Sequence, residues 1–95
     1  MKKTEVRVRH AFHGVVTYEA FTGYIVPCAL HPAYIFVAHR WQGAWRMTET
    51  STGRGVVFNC ATRAEAIQKG LDRLKDFSPK ELNRRISASL LGEEQ

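Results

Sequence analysis

Four side chains with metal-ligating chemistry fall in two close pairs: His10 with His13, and Cys28 with His31. Imidazole nitrogens and a thiolate in such pairs are what a tetrahedral zinc ion takes. The H-x-x-H and C-x-x-H spacings fit no knuckle or finger pattern, however. On a continuing strand His10 and His13 would point to opposite faces, and only a turn at His13-Gly14 would bring them together. The expectation is no bound metal, with these four residues as the candidates if one binds.

Catalysis is argued against on similar grounds. Pro27-Cys28-Ala29-Leu30-His31 resembles one half of the zinc-deaminase signature, but nothing upstream supplies the H-x-E half. Cys28 and His31 share a loop and could form a nucleophile–base pair. Cys28 and Cys60 are better read as small buried hydrophobes, the usual state of free cysteine. The chain is therefore expected to be non-enzymatic and to need no cofactor.

Thr52-Gly53-Arg54-Gly55 offers backbone amides and a guanidinium to an anion. It lacks the spacing and the lysine of a Walker loop. Arg54 to Phe58 echoes the RNP1 strand but lacks the aromatic residue after glycine. A flexible hairpin tip is the reading preferred for this segment.

Arginine interleaved with tryptophan carries more weight. Arg7 and Arg9 alternate along one strand face, and Lys2 and Lys3 can extend them. Arg40 and Arg46 flank a hairpin that bears Trp41 and Trp45, and Arg84 and Arg85 add charge further on. Guanidinium beside indole suits both phosphate contact and base stacking. The candidate nucleic-acid or partner-binding set is thus Arg7, Arg9, Arg40, Trp41, Trp45, Arg46 and Arg54.

These residues need elements to hold them. Glu5 to Arg9 alternates charged and apolar residues, the period of a strand with one wet face. His13-Gly14 turns, Val15 to Tyr18 resumes, and Thr22-Gly23 is expected to break the run before a short strand Tyr24 to Val26. Tyr34 to Trp41, apolar on both sides, is expected to be a central strand. Gln42-Gly43 makes a tight hairpin to Ala44–Thr50, residues 51–55 turn again, and Val56 to Phe58 closes the meander.

Two helices follow. Thr62 and Glu65 form a capping box, and Ile67, Leu71 and Leu74, with Ala64, supply the apolar stripe. Ser78, Pro79 and Glu81 repeat the start signal. Leu82, Ile86 and Leu90 then form the apolar face, and Gly92 is placed to cap the end. The expected fold is α+β: an antiparallel sheet of about five strands in the N-terminal two-thirds, with two C-terminal helices packing on one face. Residues 1–92 would make a single domain, and 93–95 a disordered acidic tail.

Composition bounds the function. The chain has 95 residues and a formal net charge of +5. Residues 1–61 hold seven basic and three acidic groups, whereas 62–95 hold seven and six, so nearly all the excess lies in the first part. The excess favours anionic partners. Two cysteines and a start without an apolar run point to a reduced, intracellular setting. No Asp, Glu, Lys or Arg occurs from Ala20 to His39, but Gly23, Pro27 and Pro32 interrupt that stretch, so no membrane span is expected. Its aromatic residues form either the core or a surface for a protein partner or a homodimer.

Residues 34–77 have a broader likeness. The strand ending in Trp41, the hairpin with Trp45 and Thr50-Ser51-Thr52-Gly53, the closing strand, and Ala61 to Ile67 opening a helix resemble small proteins of phages and mobile elements, among them anti-CRISPR inhibitors. The likeness covers under half the chain and brings no catalytic residue. Many such inhibitors are acidic mimics of nucleic acid, and this basic chain departs from them. The resemblance implies a cytoplasmic, stoichiometric inhibitor of a host CRISPR-Cas nucleoprotein complex that touches RNA, DNA or an acidic protein surface.

Overall fold

The computed structural model describes residues 1–90, with side chains described through Ala88. The order is β1 (Lys3–Phe12), β2 (Val15–Val26), β3 (Phe36–Trp41), β4 (Ala44–Glu49), β5 (Gly55–Cys60), α1 (Arg63–Leu74) and α2 (Pro79–Leu90). The strands form one antiparallel sheet in sequence order, and the helices pack on it, so the fold is α+β. The Leu90 side chain, the cap assigned to Gly92 and the tail 93–95 lie outside the described residues.

Two turns set the registers. His13 and Gly14 have φ of 50° and 78°, and Gln42 and Gly43 have 51° and 80°. Paired positive φ values are the mark of type I′ turns, whose twist matches that of the flanking strands. Each turn aligns the residues beside it, Phe12 with Val15 and Trp41 with Ala44.

The expected break at Thr22-Gly23 does not occur. β2 pairs with β1 from Val15 to Tyr24 without interruption. Gly23 is buried inside the strand, where a Cβ would come within 2.5 Å of the Ala38 carbonyl oxygen. Here glycine permits close approach of β3 rather than ending a strand. Tyr34 also lies outside β3; its amide donates to the His31 carbonyl in the preceding turn.

Residues alternate between the two faces of the sheet. On one face Val26, Phe36, Ala38 and Met47 meet Leu74 of α1 and Leu82 and Ile86 of α2 in the main core. The buried side of α1 is Ala66, Gly70 and Leu74, with Ile67 and Leu71 half-buried, while Ala64 is exposed. The stripe is thus rotated from the expected one, because the helix sits close enough to β4 for Met47 to pack on Gly70. The Thr62 hydroxyl accepts from the Glu65 amide at 3.1 Å, but the Glu65 carboxylate pairs with Lys69 instead of returning to the cap.

The opposite face is closed by curvature. Bulges between β4 and β5 sharpen the twist. β1 then swings round to dock on the β4–β5 turn, and the Arg9 amide donates to the Gly53 carbonyl at 2.9 Å. Val6, Val8, Val37, His39 and Thr48 are fully enclosed as a result. Gly53 makes the docking possible: its φ is 73°, and a Cβ there would meet the Arg7 carbonyl oxygen at 2.5 Å.

Candidate nucleic-acid interface and a cationic groove

The arginines and tryptophans named from sequence separate into two places. Arg40 and Trp45 are cross-strand partners, and the Arg40 guanidinium lies 6.0 Å from the Trp45 ring. Tyr24 is on the same face, with its ring centre 6.4 Å from that of Trp45. Lys3, opposite Tyr24 in register, sits over the Tyr24 ring at 5.3 Å, and Arg63 covers it at 4.1 Å. Three exposed cations therefore stand over two half-buried aromatic rings. Lys3, Arg40 and Arg63 form no ion pair among the described residues.

Tyr24 and Arg63 were not named from sequence, though a signal for each exists. The type I′ turn at His13-Gly14 places Lys3 beside Tyr24 by register alone. Arg63 is the first residue of α1, where a positive charge opposes the helix dipole. It does nothing for the helix there and is held over a ring instead.

Arg46 and Trp41 face the other way and require a correction. Arg46 is only 5% exposed, so it is no surface phosphate contact. Its guanidinium lies between the Trp41 and Phe58 rings, at 4.9 and 4.5 Å from their centres. Burial pushes it below its ordinary pKa, although an arginine stays charged at neutral pH. These groups line a groove of about 600 Å³ bordered by Arg9, Arg54, Arg73 and Arg85. Arg7 is exposed on β1 and belongs to neither place.

The turn at Thr52-Gly53-Arg54 is neither a flexible tip nor an open anion cradle. Thr52 and Gly53 are buried. The Ser51 amide and hydroxyl donate to the Glu49 carboxylate at 2.6 and 2.8 Å, and the Thr52 amide and hydroxyl donate to it at 3.0 and 2.8 Å. The Gly53 amide donates to the Glu49 carbonyl and the Arg54 amide to the Thr52 hydroxyl oxygen. The anion this nest holds is the protein's own.

The histidines and cysteines have structural settings. His31 is buried, and its Nε2 donates to the Leu74 carbonyl at 2.9 Å, tying the β2–β3 loop to the end of α1. His39 Nδ1 donates to the Arg40 carbonyl at 3.1 Å, so Nε2 accepts from the Thr48 hydroxyl at 2.8 Å. Burial holds His39 below its ordinary pKa, and the Arg46 charge adds to that, against the hydrogen bond to Arg40. Burial pushes the Cys60 thiol up, and both cysteines are free. His10 approaches Glu19 at 3.5 Å and stacks near Trp41, away from any second ligand pair. No cluster of three or more His, Cys, Asp or Glu that could hold a metal forms among the described residues.

The uncharged stretch 20–39 is largely core: Val26, His31, Phe36, Val37, Ala38 and His39 are buried, whereas Leu30 and Ile35 are exposed. Exposed apolar side chains gather instead at the β1–β2 hairpin end, in Phe12, Val15, Val16 and Tyr18. No helix among the described residues is long and apolar enough to cross a membrane. Comparison with known proteins finds no matching family model, no matching curated protein and no matching solved structure.

Proposed function

We propose that this chain binds single-stranded nucleic acid, free or within a nucleoprotein complex, through the Lys3–Tyr24–Arg40–Trp45–Arg63 patch. The observation that carries the reading is three cations, without an ion pair among the described residues, placed over two adjacent rings. Such a surface offers phosphate neutralisation and a stacking platform together. Binding without catalysis, in a cytoplasm, is the mode this reading implies. Its most concrete form is stoichiometric inhibition of a CRISPR-Cas complex by a phage-borne protein, which follows the resemblance in residues 34–77.

Anisotropy of short labelled RNA and DNA strands, titrated at several salt concentrations, tests it. Alanine at Lys3, Arg40 or Arg63 should each flatten the logarithmic salt slope by about 0.7. Alanine at Tyr24 or Trp45 should weaken binding by about 1–3 kcal/mol and leave the slope unchanged. Binding that none of the five substitutions alters would overturn the assignment.

A second reading, contact with a protein partner or a second copy, is favoured by the apolar hairpin end. Phe12 and Val15 are 74% and 61% exposed there, at the turn joining two strands. It predicts association that is insensitive to salt and abolished by Phe12→Ser together with Val15→Ser.

A further inference from the structure

We infer that the groove around Arg46 is a binding site for a small amphipathic anion, a carboxylate or phosphate head on an apolar body. The site is separate from the outer patch, because Arg46 and Trp41 face away from Arg40 and Trp45.

Arg46 is the central observation. It is 95% withdrawn from solvent by its 5% exposure, and its guanidinium has no hydrogen-bond or ion-pair partner among the described residues. A guanidinium carries five donors in a fixed fork, shaped for a bidentate oxyanion. The rings of Trp41 and Phe58 compensate part of its charge but accept none of its hydrogen bonds in the plane of the fork. The nearest acid lining the groove, Glu49, already accepts four hydrogen bonds from Ser51 and Thr52. Three of those bonds fall on Oε1 and one on Oε2, and no hydrogen bond or ion pair joins Glu49 to Arg46 among the described residues.

The surroundings define the rest of the ligand. Arg9, Arg54, Arg73 and Arg85 also line the groove, with Arg85 paired to Glu81 at 3.8 Å, so its rim is basic. Phe36, Leu74 and Ile86, buried in the main core on the helix-covered face, give it an apolar part beyond β5. At about 600 Å³ it lies within the range of small-ligand sites, roughly 300–1,000 Å³. Gly55 lets the guanidinium and the Phe58 ring pack against the β5 backbone: a Cβ there would come within 2.5 Å of Arg46 Nη2 and 2.3 Å of the ring. A head group on Arg46 with its body toward α2 uses both halves of the site.

The probe is 1-anilinonaphthalene-8-sulfonate, an aromatic oxyanion, read by its own fluorescence and by Trp41 emission in a Trp45→Phe background. The folded wild type should bind it saturably, with decanoate and adenosine monophosphate tested as competitors to separate carboxylate from phosphate heads. Arg46→Met should weaken the probe at least tenfold. Replacing an unpaired buried charge by an apolar chain of similar length is expected to leave folding intact or improve it. Arg73→Gln and Arg85→Gln, on exposed helix positions, should each weaken the probe two- to fivefold, whereas Arg40→Ala should leave it within twofold. Equal probe affinity in Arg46→Met and wild type would overturn the site, as would weakening by Arg40→Ala alone. Loss of oligonucleotide binding in the patch variants, with probe binding kept, would separate this inference from the proposed function.

Discussion

Removing the Glu49 carboxylate should unfasten the turn that closes the sheet. Glu49 is 4% exposed and collects four donors from residues 51 and 52. Ser51 is exposed, so its donors regain water when the acceptor goes, whereas Thr52 is buried and its amide and hydroxyl do not. Each buried donor left unpaired costs about 1–3 kcal/mol, which puts Glu49→Ala at about 2–5 kcal/mol after partial relaxation. Against a typical total of about 5–15 kcal/mol that is a large fraction. Urea unfolding should show a lower midpoint at an unchanged slope, and melting should fall by roughly 10–30 °C. Exchange of the Arg9 amide, which donates to Gly53 in the same turn, should accelerate with it. Thr52→Val should be more damaging than Ser51→Ala, in keeping with their burial. A loss under about 1 kcal/mol in Glu49→Ala, or the reverse order of the two turn variants, would refute the reasoning.

Glycine substitutions should separate backbone strain from collision. Gly53→Ala meets both a positive φ and the Arg7 carbonyl, and should cost about 2 kcal/mol or more in thermal unfolding. Gly14→Ala and Gly43→Ala have open space and should cost only about 1 kcal/mol each. His39, kept neutral by burial, releases its proton more readily folded than unfolded. Stability should therefore be full above pH 6.5 and decline below it until the folded-state pKa is passed, and His39→Gln should flatten that decline in urea titrations. Thiol labelling should modify half-buried Cys28 well before Cys60, whose reaction should wait for unfolding.

The elements were legible where local chemistry decides them. Glycine after His13 and Gln42 forced two turns, and Thr62 and Ser78 each accept from the amide three residues on, although Glu65 does not complete its capping box. Gly23 misled because a glycine that ends a strand and one that lets two strands approach look alike in sequence. Its role depends on β3, which is distant in the chain. The site was half legible for the same reason. Arg40, Trp41, Trp45 and Arg46 are neighbours on one hairpin, but alternation sends Arg40 and Trp45 one way and Arg46 and Trp41 the other. Which pair would be buried depended on the curl of β1, which docks on the turn that Glu49 holds. No pattern of spacing announces a carboxylate that fills its own loop.

The outer patch is the centre of the functional account, and amide and indole chemical-shift mapping tests it most directly. A labelled sample titrated with a short single-stranded oligonucleotide at low salt should show the Trp45 indole and the backbone of Lys3, Tyr24, Arg40 and Arg63 moving first. The Trp41 indole, on the opposite face, should stay nearly still. Shifts confined to the Phe12–Val15 hairpin end, or no shifts with intact protein at low salt, would contradict it.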